Sequence, residues 1–214
     1  MSVSEQSDAI FSRIADRYDL INRILSLGQE QAWRESAARL LPSGRVLDLG
    51  SGTGAAAPVL KENQVVALDP VAPMLALSPI EARVVGVGEQ LPFSSSSFDG
   101  VFSAYVFRNL TSVEATLIEI HRVLRPGGAA AVVDLSRPVN PIARTLHRIG
   151  SAIVLPLAGL LARAPGEYWY LHRSLDKLPP PEILLGSGPL VLEKTWRLGP
   201  LGFVYGALLR KPQN

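Results

Sequence analysis

One stretch constrains the fold more than any other: the apolar run Val46-Leu47-Asp48-Leu49 passes directly into Gly50-Ser51-Gly52-Thr53-Gly54 and then into helix-forming residues. Glycines at this spacing let the chain turn sharply with positive φ and let a ligand approach the backbone. A second apolar run, Val65-Val66-Ala67-Leu68, ends in Asp69, 19 residues after Gly50. A carboxylate there is where a ribose-binding acid belongs in a nucleotide-binding β-α-β unit. Further runs at Ala82 to Val87, Asp99 to Ser103 and Ala129 to Leu135 alternate with a short helix from Ala55 to Lys61 and an amphipathic helix from Thr111 to Val123. Strands alternating with helices predict a doubly wound, Rossmann-like α/β sheet with parallel pairing. Two last runs, Val191 to Leu198 and Phe203 to Leu209, are joined by Gly199-Pro200-Leu201-Gly202, so the seven-stranded sheet is expected to end in a reversed strand.

Two ligand readings compete for the glycine loop. Gly50, Gly52 and Ala55 fit the dinucleotide pattern, whereas Gly50, Gly52 and Gly54 preceded by Asp48 fit that of S-adenosylmethionine-dependent methyltransferases. The acid discriminates: Asp48 repels a pyrophosphate but suits a cofactor that carries an ammonium and a sulfonium.

With 214 residues the chain is expected to form one domain. Within it, residues 1–41 read as an N-terminal helical cap, 45–140 as the cofactor-binding core, 141–185 as an apolar helical insert and 190–211 as a C-terminal hairpin. The cap is two helices, the first with Ile10, Phe11, Ile14, Tyr18, Ile21 and Leu25 on one face and the second from Gln29 to Leu41. There is no cysteine, which removes thiolate metal sites and every cysteine nucleophile. Three scattered histidines make no metal site. His121 reads as a solvated partner of a helix C-terminus, and His147 and His172 have no acid or hydroxyl constellation.

The net charge of +2 divides unevenly: residues 1–140 carry 12 Lys/Arg against 15 Asp/Glu, residues 141–214 carry 9 against 4. Arg144, His147, Arg148 and Arg163 surround Ile149 to Ala162, 14 residues without a charge and containing Pro156. Spanning a bilayer takes about 20 apolar residues, so this stretch does not span. Two uses stay open for it: resting at a lipid surface, or covering the sheet or a homodimer contact. Trp169 between two tyrosines is likewise an interfacial anchor or core. The opening Met-Ser-Val-Ser-Glu-Gln-Ser-Asp has no secretory pattern, which reads as a cytoplasmic protein with peripheral membrane contact left open.

The downstream motifs carry a family resemblance. Gly88-Glu89-Gln90-Leu91-Pro92-Phe93, Ser97-Phe98-Asp99, Phe107-Arg108-Asn109-Leu110 and Glu119-Ile120-His121-Arg122-Val123-Leu124-Arg125-Pro126-Gly127-Gly128 closely resemble the class I methyltransferases that methylate a ring carbon of ubiquinone and menaquinone precursors. Phe11-Ser12-Arg13-Ile14-Ala15-Asp16-Arg17-Tyr18-Asp19-Leu20-Ile21-Asn22 does so too. The glycine loop marks only the superfamily, while Tyr18 to Asn22 with Phe107 to Asn109 marks the quinone branch. The resemblance runs from Ile10 to Pro138 and continues weakly through Tyr168-Trp169-Tyr170-Leu171 and Leu208 to Pro212.

That resemblance implies S-adenosylmethionine as cofactor, with no metal, and a prenylated hydroquinone of the demethylmenaquinol type as acceptor. It places Asp48, Gly50, Gly52, Thr53 and Gly54 on the methionine part of the cofactor and Asp69 on its ribose hydroxyls. Ser51, Pro70 and Ala104 complete the expected contacts. Where the family has a polar residue facing adenine this chain has Val87, followed by Gly88, so only backbone is offered there. Short links at Glu62-Asn63-Gln64 and Ala76 to Glu81 predict a compacted cofactor rim.

For catalysis the resemblance points to Arg108, Asn109 and Tyr18, and for the substrate to these with Asn22. A ring carbon becomes nucleophilic when a phenolic proton is lost or shared, so a group near the methyl must stabilise the phenolate. Arginine is a poor base, which favours a water polarised by Arg108. The bland readings are a surface arginine at 108 and a core tyrosine at 18. Nucleic acid is not expected as partner, because the covalent cysteine route and an Asn/Asp-Pro-Pro-Tyr motif are both missing. Another apolar acceptor, or a cofactor-binding subunit without catalysis, is the alternative.

Overall fold

A computed structural model describes residues 26, 28–161, 175–176 and 178–213 of the protein. Its centre is a seven-stranded sheet built from β1 (Arg45–Leu49), β2 (Gln64–Asp69), β3 (Ala82–Val85), β4 (Phe98–Ala104), β5 (Leu124–Leu135), β6 (Val191–Leu198) and β7 (Val204–Arg210). The spatial order is β3-β2-β1-β4-β5-β7-β6. The first five strands pair in parallel, and β7 lies antiparallel to both β5 and β6. The order reverses beside β1, between β2 and β4, and this is where ligands bind in open α/β sheets, beyond the carboxyl ends of the strands. The reversed strand expected at the C-terminus is β7.

Apolar runs with no polar alternation make strands buried on both faces. Side chains on successive strand residues point to opposite faces, which sorts the core into two layers. Val46, Phe102, Ala131 and Val133 pack with Trp33, Ala37 and Ala38 of helix α1 (Glu30–Ala38) and with Leu60 of α2 (Ala57–Leu60). Leu47, Leu49, Val101, Ala130 and Val132 pack with Leu117, Ile120 and Val123 of α4 (Val113–Val123), and Leu185 of α6 (Pro181–Leu185) joins that side. Between them in sequence, α3 (Ala72–Ala76) covers β2 through Leu75.

Several boundaries differ from the sequence expectation. The third strand ends at Val85 rather than Val87, because Gly86 donates back to the Asp69 carbonyl and Val87 bridges only Gln90 in a tight turn. The helix expected from Ala55 begins at Ala57, since the glycine turn runs on through Gly54, and the one expected from Gln29 to Leu41 is α1, ending at Ala38. Helix α4 starts at Val113 because Ser112 caps it, accepting the Ala115 N–H at 3.1 Å. The fifth strand reaches back to Leu124, with the Arg125 to Gly128 turn absorbed as an irregularity. The apolar helix α5 spans Pro141–Leu161 with Pro156 inside it. The N-terminal segment with Tyr18 and Asn22, and Arg163, Trp169 and His172, lie outside the described residues.

Two family motifs turn out to brace one another. Glu119 on α4 accepts the Leu91 N–H at 2.7 Å and binds Arg122, and Arg122 donates to the carbonyls of Phe93 (2.7 Å) and Leu91 (2.9 Å). The Leu91-Pro92-Phe93 segment is thereby fixed to the helix. His121, one residue before Arg122, is half-buried rather than solvated, and burial together with Lys211 holds its pKa below the usual value.

Arg122 and the Leu91 N–H hold the Glu119 carboxyl below its ordinary range. A lowered acid pKa gives stability that is complete above the unfolded-state value and lost as pH falls through the folded-state value. Glu119→Gln is expected to lower the unfolding free energy by about 1.5–3 kcal/mol at neutral pH and to flatten the acid limb of the stability curve. Denaturant midpoints measured from about pH 7 down to about pH 3 check both.

Candidate active site

A cavity of about 410 Å³ opens at the carboxyl ends of β1, β2 and β4, a size that suits a cofactor or small ligand. Of the cofactor residues expected from sequence, Asp48, Gly50, Ser51, Gly52, Thr53, Asp69, Pro70, Val87, Gly88 and Ala104 line it, as does Asn109. Gly54 and Arg108 stand outside the lining.

The glycine loop owes its shape to three contacts. Gly50 and Ser51 donate their N–H groups to the Leu68 carbonyl at 2.8 and 3.0 Å, which ties the loop to the end of β2. Asp69 then accepts the Gly52 N–H on Oδ2 and the Val71 N–H on Oδ1, each at 2.8 Å. An ionised carboxylate accepts several hydrogen bonds at once, and two of those of Asp69 shape the loop. Gly50 has φ +71°, and a Cβ there would lie 2.2 Å from Val106 Cγ2. Gly54, at φ +81°, is a packing glycine: its Cβ would meet Ser78 Oγ at 2.4 Å and Pro79 Cδ at 2.6 Å.

Asp48 is buried within this frame, 2% exposed, and its Oδ2 has no hydrogen-bond partner. Burial raises its carboxyl to about pKa 6, opposed by the nearby Ser51 hydroxyl and the charge of Arg34 and reinforced by Asp69. An unpartnered buried carboxylate facing a cavity is costly to the empty fold, and a cationic ligand relieves that cost. The residues therefore fit an ammonium-bearing cofactor.

Sequence reasoning missed Arg34, which lines the same cavity from α1 while 5% exposed, its guanidinium 5.3 Å from the Tyr105 ring centroid. Its signal was present. Arg34 falls three and four residues before Ala37 and Ala38, on the buried face of that helix. Tyr105 is a second omission: it follows β4 with φ +65°, a conformation costly for a bulky side chain. Its N–H donates to the Val133 carbonyl at 2.7 Å, holding the bend that begins the next turn. Glu89, also on the lining, accepts the N–H groups of Thr111 (2.7 Å) and Ser112 (3.2 Å), so the rim is tied to the start of α4.

Phe107–Asn109 form a short 3₁₀ turn after β4. Asn109 faces the cavity, while the Nε and one terminal nitrogen of Arg108 are buried without a hydrogen-bond partner and its charge acts on Asp134 at the end of β5. Asp134 is a third acid closing an apolar run, after Asp48 and Asp69, and was given no role from sequence. His147, which the sequence gives no acid or hydroxyl constellation, stacks on Phe203 at 5.0 Å with Arg137 3.2 Å from its Nδ1. No cluster of metal-ligating side chains occurs among the described residues.

Asp48 gives a direct test of the site's electrostatics. With its pKa raised on folding, it destabilises the ligand-free protein once ionised; the penalty builds from the ordinary carboxylate range upward and is complete above about pH 6. Asp48→Asn is expected to stabilise the ligand-free protein by about 1–2 kcal/mol at pH 8 and to leave it unchanged near pH 4. Thermal or denaturant unfolding at both pH values measures this.

Comparison with known proteins agrees with the geometry. The model of the ubiE/COQ5 methyltransferase family matches residues 1–186. A demethylmenaquinone methyltransferase of Thermus thermophilus is 39% identical over 191 residues, covering 82% of this chain and 87% of that one. The ubiquinone/menaquinone biosynthesis C-methyltransferase UbiE of Syntrophotalea carbinolica is 36% identical over 192 residues, 83% of this chain and 81% of its own. Among solved structures, a SAM-dependent methyltransferase of Thermotoga maritima superposes with a TM-score of 0.64 at 19% identity, over 95% of this chain and 98% of that one. The last likeness shows the fold alone; the match along residues 1–186 shows more, and the chain belongs to the ubiE/COQ5 methyltransferase family.

Proposed function

We propose that the protein transfers a methyl group from S-adenosylmethionine to a ring carbon of a prenylated hydroquinone of the demethylmenaquinol type. The observation that supports this reading is the turn after β4, which carries Asn109 on the lining of the cavity with Arg108 as the residue before it. The names of the Thermus and Syntrophotalea relatives supply the acceptor class.

When bound, the cofactor supplies an electrophilic methyl on a sulfonium. The chain's own residues do the rest. Asp48 would hold the ammonium, Asp69 the ribose hydroxyls, and Arg34 the carboxylate. Val87 and Gly88 offer backbone and apolar surface to the adenine, as Val87 has no polar side chain. Arg108 stabilises negative charge on the acceptor's oxygen, which makes the ring carbon electron-rich, and Asn109 orients the ring. Alignment and removal of water then account for most of the rate.

A lipid-soluble acceptor explains a second feature. Along α5 the exposed side chains Ile142, Leu146, Ile149 and Ile153 recur at helical spacing, with exposed Arg144 and Arg148 among them. An apolar stripe beside cations suits the surface of an anionic bilayer. Among the described residues no helix is long and apolar enough to cross a membrane.

Labelled cofactor offered with reduced quinones, phospholipids and RNA is expected to label only the quinone, on carbon, and Arg108→Ala to lose about 100-fold or more in kcat with cofactor affinity kept. Label confined to lipid head groups or RNA overturns the assignment. In flotation with vesicles containing anionic lipid, the protein is expected to rise with the lipid and the Ile149→Asp, Ile153→Asp double variant to stay behind; wild-type protein left at the bottom disproves the surface role.

A further inference from the structure

On the face of the sheet opposite Asp48 lies a second buried polar group. Asp134 is 1% exposed; its Oδ1 accepts the Leu135 N–H at 2.7 Å and its Oδ2 has no hydrogen-bond partner. The register of the last three strands puts Asp134 of β5 opposite Tyr205 of β7, and Tyr205 opposite Arg197 of β6. The Tyr205 hydroxyl is buried and unpartnered, and one terminal nitrogen of Arg197 lacks a hydrogen bond, though Glu182 stands 3.7 Å from it. Five atoms without hydrogen bonds thus lie on Asp134 and the residues that follow from it across the sheet and the turn: two on Arg108 and one each on Asp134, Tyr205 and Arg197. Buried polar atoms in native proteins are almost always partnered, so this concentration beside the reaction edge calls for a function.

We infer that Asp134 is the positioning residue of Arg108 and the group that holds the acceptor's phenolic proton while the acceptor's oxygen carries charge. The inference rests on the hydroquinone reading above.

The geometry supports it in three ways. Ala104 of β4 pairs with Val133 of β5, so the turn that follows β4 begins beside Asp134, and the Phe107 and Arg108 N–H groups and the Arg108 charge favour its ionised form against a burial that raises its pKa. The carboxylate therefore seats the turn that carries Arg108 and Asn109. Its ionisation also depends on Arg108: when that guanidinium turns its charge to the acceptor's oxygen, Asp134 loses its counterion and becomes a better proton acceptor. Finally, the free Oδ2 is the position a proton needs.

The step balances. The phenolic O–H bond breaks with its electron pair left on oxygen, and the proton, carried by water, forms an O–H bond at Oδ2 of Asp134. After the ring carbon is methylated and its own hydrogen has left as a proton to solvent, Asp134 returns its proton to the phenolate. One proton is released per turnover, and Asp134 ends as it began. The charged group that acts on Asp134 is Arg108 on the turn; the titratable Tyr205 of β7 stands opposite it in the ladder, and Arg197 on β6 and Glu182 on α6 act on Tyr205.

The test takes the whole protein, Asp134→Asn and Asp134→Glu, with a series of hydroquinones of increasing phenolic acidity. Asp134→Asn is expected to lose about 100-fold in kcat with the weakest acid, to recover as the acceptor becomes more acidic, and to keep its cofactor Kd within about twofold; Asp134→Glu restores part of the rate. An equal loss with every acceptor, or a parallel loss of cofactor affinity, overturns the inference and leaves Asp134 a structural residue. A second measurement needs no turnover: infrared titration of the Asp134 carboxyl, identified by its absence in Asp134→Asn, should shift upward by about one pH unit or more in Arg108→Met. An unmoved midpoint also overturns the inference. Should wild-type protein methylate another phenol but no hydroquinone, the acceptor assignment fails by itself, and the same acidity series on that phenol still decides the role of Asp134.

Discussion

Two backbone N–H groups, those of Gly52 and Val71, end on the carboxylate of Asp69, and the shape of the cavity follows from those bonds. A loop of glycines has many conformations open to it. Charge-assisted bonds to a buried carboxylate select one. The loop then hangs from Leu68 at one end and from Asp69 in the middle, both at the tip of β2. Because β1 and β2 are register-locked neighbours, with Leu49 opposite Leu68, the loop that leaves β1 and the acid that ends β2 are brought together by the sheet itself. The 18 residues between Gly50 and Asp69 are what a turn, short helix and strand require to close that distance.

The same edge holds charges that stability alone does not explain. Asp48 and Asp134 are both buried, each has an oxygen without a hydrogen bond, and burial raises the pKa of each. They occupy opposite faces of one sheet: Asp48 shares a face with Val46 and α1, Asp134 with Val132 and α4. An arginine stands near each, Arg34 and Arg108. A sheet that keeps two half-compensated carboxylates gives up stability for sites where a cation, or a proton, completes the balance.

How far the sequence revealed this depended on the range of each signal. The alternation of strands and helices, the glycine turn, Asp69 and the reversed last strand were legible, because each is a local pattern of apolar runs, turn residues or strand ends. The Glu119–Arg122 clamp was not, since nothing at those two positions names Leu91 and Phe93, 26 to 31 residues away, as the backbone they hold. Gly54 was read as a ligand glycine, yet what demands glycine there is Ser78 and Pro79, close in space and remote in sequence. Composition extends strand three two residues too far, since valines at 85 and 87 look alike, while the Gly86 to Asp69 hydrogen bond is the last of the ladder and Val87 turns to Gln90. Arg34 went unmarked because an arginine on a helix is usually solvated, and only the packing of α1 on the sheet buries it.

The turn after β4 ties these observations together. Tyr105, at positive φ with its N–H bonded to the Val133 carbonyl, starts a turn in which two consecutive residues meet different surroundings. Asn109 reaches the cavity where the cationic donor belongs, and Arg108 is drawn toward Asp134 on the far face. A reaction that joins a cation to an electron-rich ring has to keep the donor's counter-charges away from the acceptor's. Asp48 and Asp134 sit on opposite faces at the same carboxyl edge, and the turn after β4 carries one residue toward each.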